Sequence, residues 1–208
     1  MKKVHVAIIG LGLIGGSIGL ALKEVAELGW EIVGYVRRAE AAAVALSSGA
    51  VDRTETNLRE AVKEADLVVI ATPVLTIKQI LAQIADHLPQ GCIVTDTAST
   101  KVEVMRWAEE ILPPTVDFVG GHPMAGKEAY GIQAAEAKLF QRCAYCLTPA
   151  KKASPEAIDK VANLVKKLGA SPLFIDAQEH DNLVAGISHL PMLLSAALVS
   201  VTTKDSSW

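Results

Sequence analysis

A chain of 208 residues, half of them hydrophobic, can bury one core of ordinary domain size and the start of another. Its 20 basic and 23 acidic residues leave a formal net charge of −3, which argues against nucleic acid as a partner. Three cysteines are too few for a disulfide framework, so a reducing compartment is expected, with the cytoplasm as the default.

Met1-Lys2-Lys3 followed by the apolar run Val4 to Leu22 has the outline of a signal peptide or a membrane span. Against that reading stand the glycines at 10, 12, 15, 16 and 19 and the lack of a small-x-small cleavage site before Lys23 and Glu24. No membrane partner is expected, and the later run Leu190 to Val201 is taken as too short to span.

Short Val- and Ile-rich runs alternate with stretches of helical period. Val4 to Ile9 reads as a strand, followed by a helix to about Ala26, a strand from Glu31 to Val36 and a helix through Ala45. Asp66 to Ala71 (DLVVIA) is apolar without alternation after its first residue, which suits a strand buried on both faces; a helix from Val74 to about His87 and a strand from Cys92 to Asp96 follow. Then come a helix from Ser99 to about Ile111, ended by Pro113 and Pro114, and strands at Phe118 to Gly120, Ala144 to Leu147 and Leu173 to Ile175. Between the last two, Ser154, Pro155 and Gly169 punctuate a further helix.

This order predicts an α/β fold, a Rossmann-like doubly wound and mostly parallel sheet, over residues 1–175. Asp176 with Glu179 forms a capping box opening a helix to about Thr203, the start of an all-helical domain over residues 176–208. Leu183, Ile187, Leu190, Leu194 and Leu198 recur on one face of that helix, and a single helix cannot cover such a face by itself.

Gly10-Leu-Gly12-Leu13-Ile14-Gly15 follows a predicted strand and opens a predicted helix, the context in which this pattern binds a dinucleotide. Gly10 serves the turn, Gly12 the approach of the pyrophosphate and Gly15 the helix–strand contact, while free N–H groups at the helix start hold the anion. A carboxylate at the end of the second strand would select NAD. This chain has Arg37 and Arg38 there, and two guanidiniums favour NADP over NAD. Thr72, Pro73 and Asp96 join the cofactor side from the carboxyl ends of their strands.

Three polar segments interrupt the apolar pattern: Thr95 to Lys101 (TDTASTK), Gly120 to Gly126 (GGHPMAG) and Ile187 to Pro191 (ISHLP). With GLGLIGGS and the ATP of Ala71 to Pro73, in this order and spacing, they resemble the prephenate and arogenate dehydrogenase family along essentially the whole chain. The resemblance implies oxidative decarboxylation of a small-molecule substrate, prephenate or arogenate, with hydride passing to the nicotinamide. It implies that His122 is the catalytic base and that Ser99 bonds the substrate hydroxyl and holds His122 in line. It also makes His189 a substrate ligand, Glu128 a gate residue, and Lys101 a support of its loop on the substrate side.

His5, His87 and His180 are expected to be structural. The spacing of His180, Asp181 and His189 does not stack ligands on one turn, so no metal is expected. The family's carboxylate-binding arginine and its dimerising helices have no counterpart before Trp208, which fits a piece of a longer, homodimeric protein. Two other readings remain open: a β-hydroxyacid dehydrogenase-like enzyme of the same architecture, and a cofactor-binding regulator without turnover.

Overall fold

The computed structural model describes residues 3–25 and 29–203. One eight-stranded sheet runs through it in the order β3-β2-β1-β4-β5-β6-β7-β8. The strands are β1 (Val4–Ile9), β2 (Trp30–Tyr35), β3 (Arg53–Glu55), β4 (Leu67–Ile70), β5 (Ile93–Asp96), β6 (Asp117–Pro123), β7 (Ala144–Pro149) and β8 (Ser171–Phe174). All neighbours are parallel except β6 and β7. The order reverses between β1 and β4, so the loops after these strands border a crevice at their carboxyl ends.

The central strands are continuous apolar runs because both faces are covered. Val6, Ile8, Leu67 and Val69 pack on one side with α1 (Leu13–Glu24) and α6 (Pro155–Lys167). Ala7, Ile9, Val68 and Ile70 pack on the other with α3 (Leu58–Val62), α4 (Val74–Ile84) and α5 (Val102–Ile111). The period-two alternation of side chains shares each strand between the two cores.

The predicted strands and long helices are present, with ends displaced by a few residues. The tail of the first predicted helix, to Ala26, reaches beyond the described residues. Two short elements were absent from the sequence reading. Edge strand β3 is three residues of half-buried Arg-Thr-Glu with no apolar alternation, and α3 is a five-residue helix marked only by the Asn57 cap, whose side chain accepts from Arg59 N–H. Helix α2 (Ala39–Ser47) covers little.

After β8, Asp176 accepts from the N–H groups of Gln178 and Glu179, as the capping box required, and opens α7 (Ala177–Val184). The helix widens to a π turn at Ala185–His189, where Leu190 N–H bonds Ala185 O, and continues as α8 (Leu190–Thr203). Pro191 offers no N–H, and a π turn is one way for a helix to absorb that defect. The apolar run is therefore part of a 27-residue helix, 177–203, which among the described residues is the one long and apolar enough to cross a membrane. This corrects the reading of a segment too short to do so. Its first turns carry Glu179, His180 and Asp181, and α7 packs on α5. The stripe it buries is His180 and Val184, while the expected face of Leu183, Ile187, Leu190, Leu194 and Leu198 is exposed.

Candidate active site

The glycine loop fits its expected role by space as well as by pattern. Gly10 has φ +103, and a Cβ there would lie 2.5 Å from Ala71 O, so the β1 and β4 loops touch only because it has no side chain. A Cβ on Gly15 would lie 2.0 Å from Gly10 O, which explains the tight turn into α1. A Cβ on Gly12 would meet nothing within 4 Å. The second glycine of the pattern thus borders open space, and an incoming phosphate needs such space. Helix α1 begins there with no side-chain cap and no acid in its first turn, leaving N–H groups and the positive end of the helix dipole for an anion.

Leu13 and Ile14 are half-buried on that turn. Pro73, at the start of α4, is exposed, and the Thr72 hydroxyl accepts from Thr76 Oγ1 at 2.9 Å. Arg37 and Arg38 are exposed just beyond β2, and among the described residues neither forms an ion pair.

The TDTASTK and GGH segments are one buried unit. Lys101 and Asp96 are both 0% exposed and form an ion pair. Lys101 Nζ also donates to Gly121 O at 2.7 Å, while Asp96 accepts from Ala98 N–H at 2.8 Å and Gly121 N–H at 3.0 Å. Burial pulls the Lys101 ammonium below its ordinary pKa against the attraction of Asp96. Gly121 has to be glycine, since a Cβ would sit 2.5 Å from Asp96 O. Asp96, expected on the cofactor side, faces the protein interior with its carboxylate fully engaged, and Lys101, expected to support its loop on the substrate side, does so from a fully buried position; the pair pins β6 to β5 directly before His122.

His122, near the end of β6, is half-buried. Burial comes first, then the Lys101 charge, with smaller effects of His180 and His189 against a contrary effect of Asp181; together they lower its pKa to about 4. The ring is therefore neutral at neutral pH. Its Nδ1 lies 2.9 Å from Nε2 of His180, and His180 Nδ1 lies 2.7 Å from Asp181 Oδ1. His180 is fully buried. Asp181 also accepts from the N–H groups of Lys101 (2.6 Å) and Val102 (3.0 Å), capping α5 from another helix. Burial raises its pKa, but the bonds from Val102, His180 and Lys101 outweigh burial and hold the carboxyl below its usual value.

Ser99 is exposed, and the partner that holds His122 is His180, a residue expected to be merely structural. The signal was present in the sequence: His180 stands four residues before Val184, on the face that proved to be buried. His189 is half-buried in the π turn, near enough to bear on His122. Glu128 is exposed in the loop between β6 and β7.

A doubly wound sheet with a glycine-rich strand-to-helix turn at its switch point, and a neutral histidine at the same carboxyl edge of the sheet, has the form of a dehydrogenase-type nucleotide-binding domain. The family model of the prephenate dehydrogenase nucleotide-binding domain matches residues 18–173, and the chain belongs to the prephenate dehydrogenase family. It is 39% identical to the prephenate dehydrogenase of Bacillus subtilis (strain 168), over 96% of this chain and 54% of that protein. Prephenate dehydrogenase from A. aeolicus, in complex with hydroxyphenyl propionate and NAD+, superposes with a TM-score of 0.91 at 28% identity, over 100% of this chain and 72% of that one. Synechocystis arogenate dehydrogenase gives 0.86 at 32% identity, over 98% and 71%. The chain spans about half the length of the curated relatives it matches.

Proposed function

We propose that the chain is the nucleotide-binding and catalytic part of a prephenate dehydrogenase, converting prephenate to 4-hydroxyphenylpyruvate and carbon dioxide. The bound nicotinamide supplies the hydride acceptor. The glycine loop and the start of α1 hold the pyrophosphate, Thr72 and Pro73 border it, and Arg37 and Arg38 receive a 2′-phosphate, which makes NADP the preferred form. His122 accepts a hydrogen bond from the substrate hydroxyl at Nε2 and takes its proton as the hydride leaves the same ring carbon. Loss of the ring carboxylate as carbon dioxide then leaves an aromatic ring. Ser99 bonds the same hydroxyl, His189 steadies the substrate from the π turn and Glu128 stands at the entrance.

The observation that supports this reading is a histidine kept neutral by burial and the Lys101 charge, at the same carboxyl edge of the sheet as the glycine loop. A base must be unprotonated to work, and here that form persists well below neutral pH. His122→Asn keeps a polar side chain without the basic nitrogen. Turnover of prephenate is expected to fall by about 10² to 10⁴ with cofactor affinity unchanged; near-normal turnover would refute the assignment. Arogenate is the second candidate substrate, and kinetics on both compounds decide between them. The exposed apolar face of α8 fits burial in a helical homodimer, in a cytoplasmic protein with no membrane or nucleic-acid partner.

A further inference from the structure

We infer that His180 and Asp181 are positioning residues that lock His122 in the tautomer carrying its hydrogen on Nδ1, leaving Nε2 as the lone-pair nitrogen. The inference rests on the proposed role of His122 as the base. It follows from counting donors along the chain of contacts. Asp181 is held ionised and offers only acceptors, two of its bonds coming from the backbone N–H groups of Lys101 and Val102. The His180 nitrogen that faces it, Nδ1, must therefore carry the hydrogen. A neutral imidazole has one donor and one acceptor, so His180 Nε2 accepts. His122 Nδ1, 2.9 Å away, must then donate, and its Nε2 is left without a hydrogen and without a partner among the described residues.

Among the described residues, no other hydrogen bond to the His122 ring sets this choice. The charged groups bearing on His122 are Lys101 and Asp181, with His180 and His189; Lys101 Nζ is committed to Asp96 and Gly121 O. Protonating His180 would reverse one bond: its Nδ1–H would still donate to Asp181, but its new Nε2–H would donate to His122 Nδ1 and leave the His122 hydrogen on Nε2, which could then no longer accept. The full burial of His180 shields the relay from water, which would otherwise offer either tautomer a partner. Helix α7 thus delivers to the nucleotide-binding domain a part of its catalytic machinery, and Asp181, which caps α5, ties the relay to the loop that ends in Lys101.

The test reads the tautomer directly and needs no turnover. Ring-15N-histidine NMR of the chain at about pH 8, where ordinary imidazoles are neutral, shows which His122 nitrogen bears hydrogen; His122→Asn assigns the signals. The expected result is hydrogen on Nδ1 in the unaltered protein. His180→Leu and Asp181→Asn shift the population toward Nε2–H. His180→Gln restores Nδ1–H, because its amide can donate to Asp181 and accept from His122. In turnover assays of the full-length protein, His180→Leu lowers kcat by at least about 10²-fold with KM and cofactor affinity within about twofold, and His180→Gln recovers most of the loss. Hydrogen on Nε2 in the unaltered protein, or a tautomer indifferent to His180→Leu, overturns the relay whatever the kinetics. A tautomer that shifts as stated with kcat unmoved leaves the relay standing and refutes His122 as the base.

Discussion

Lys101→Met removes a charge from a fully buried pair while nearly preserving volume. The Asp96 carboxylate is then left 0% exposed with two donors, Ala98 N–H and Gly121 N–H, in place of three. Removing one partner of a buried pair costs about 3 to 5 kcal/mol, because the other charge stays desolvated. The two surviving N–H bonds place this case toward the lower figure. At roughly 2 to 4 °C per kcal/mol for a chain of this size, the melting midpoint falls by about 6 to 20 °C. Urea denaturation followed by far-UV circular dichroism measures the loss, and the double variant Asp96→Asn with Lys101→Met separates pairing from packing. That double variant is expected to lie within about 2 kcal/mol of the unaltered protein, since no charge is then stranded. A single variant losing less than about 1 kcal/mol, or a double variant as unstable as the sum of its parts, would refute the buried-pair account.

Gly15→Ala is expected to destabilise the fold, its Cβ falling 2.0 Å from Gly10 O, whereas Gly12→Ala keeps normal stability but weakens cofactor binding about tenfold or more; calorimetry and titration distinguish them. Unfolded His122 titrates near its ordinary 6.5 and folded His122 at about 4, so between these values the unfolded chain binds the extra proton and stability falls as pH falls. His122→Asn removes that slope, which urea titrations at several pH values across the window record. Replacing Arg37 and Arg38 with alanine weakens NADP binding by about 1.5 to 3 kcal/mol and spares NAD; equal affinity of the unaltered protein for both cofactors would sink the assignment. Residues of α8 such as Leu194 and Leu198, 62% and 65% exposed, drive concentration-dependent association in light scattering, and changing both to lysine abolishes it.

Most elements and their order were legible in the sequence, the short β3 and α3 excepted. Runs such as Leu67–Ile70 are apolar at every position, a pattern that only a strand covered on both faces satisfies, and the caps at Ser154 and Asp176 fixed helix starts that the structure reproduces. The sequence also located the tight glycine turn between β1 and α1, because a glycine pattern between strand and helix is a local code. What it missed depends on distance through space. Asp96 and Lys101 stand only five residues apart, but Gly121 lies 25 residues beyond Asp96, and only the pairing of β5 with β6 brings its N–H and C=O to the buried ion pair. His180 looked like any helix histidine until α7 folded across α5 and set it 2.9 Å from His122. Periodicity reported that the last helix has an apolar face but not which face packs, since exposure is decided by the neighbour and not by the helix. Hydrogen-bond direction along the row His122–His180–Asp181 depends on which acceptor stands at its end, and tertiary structure put Asp181 there.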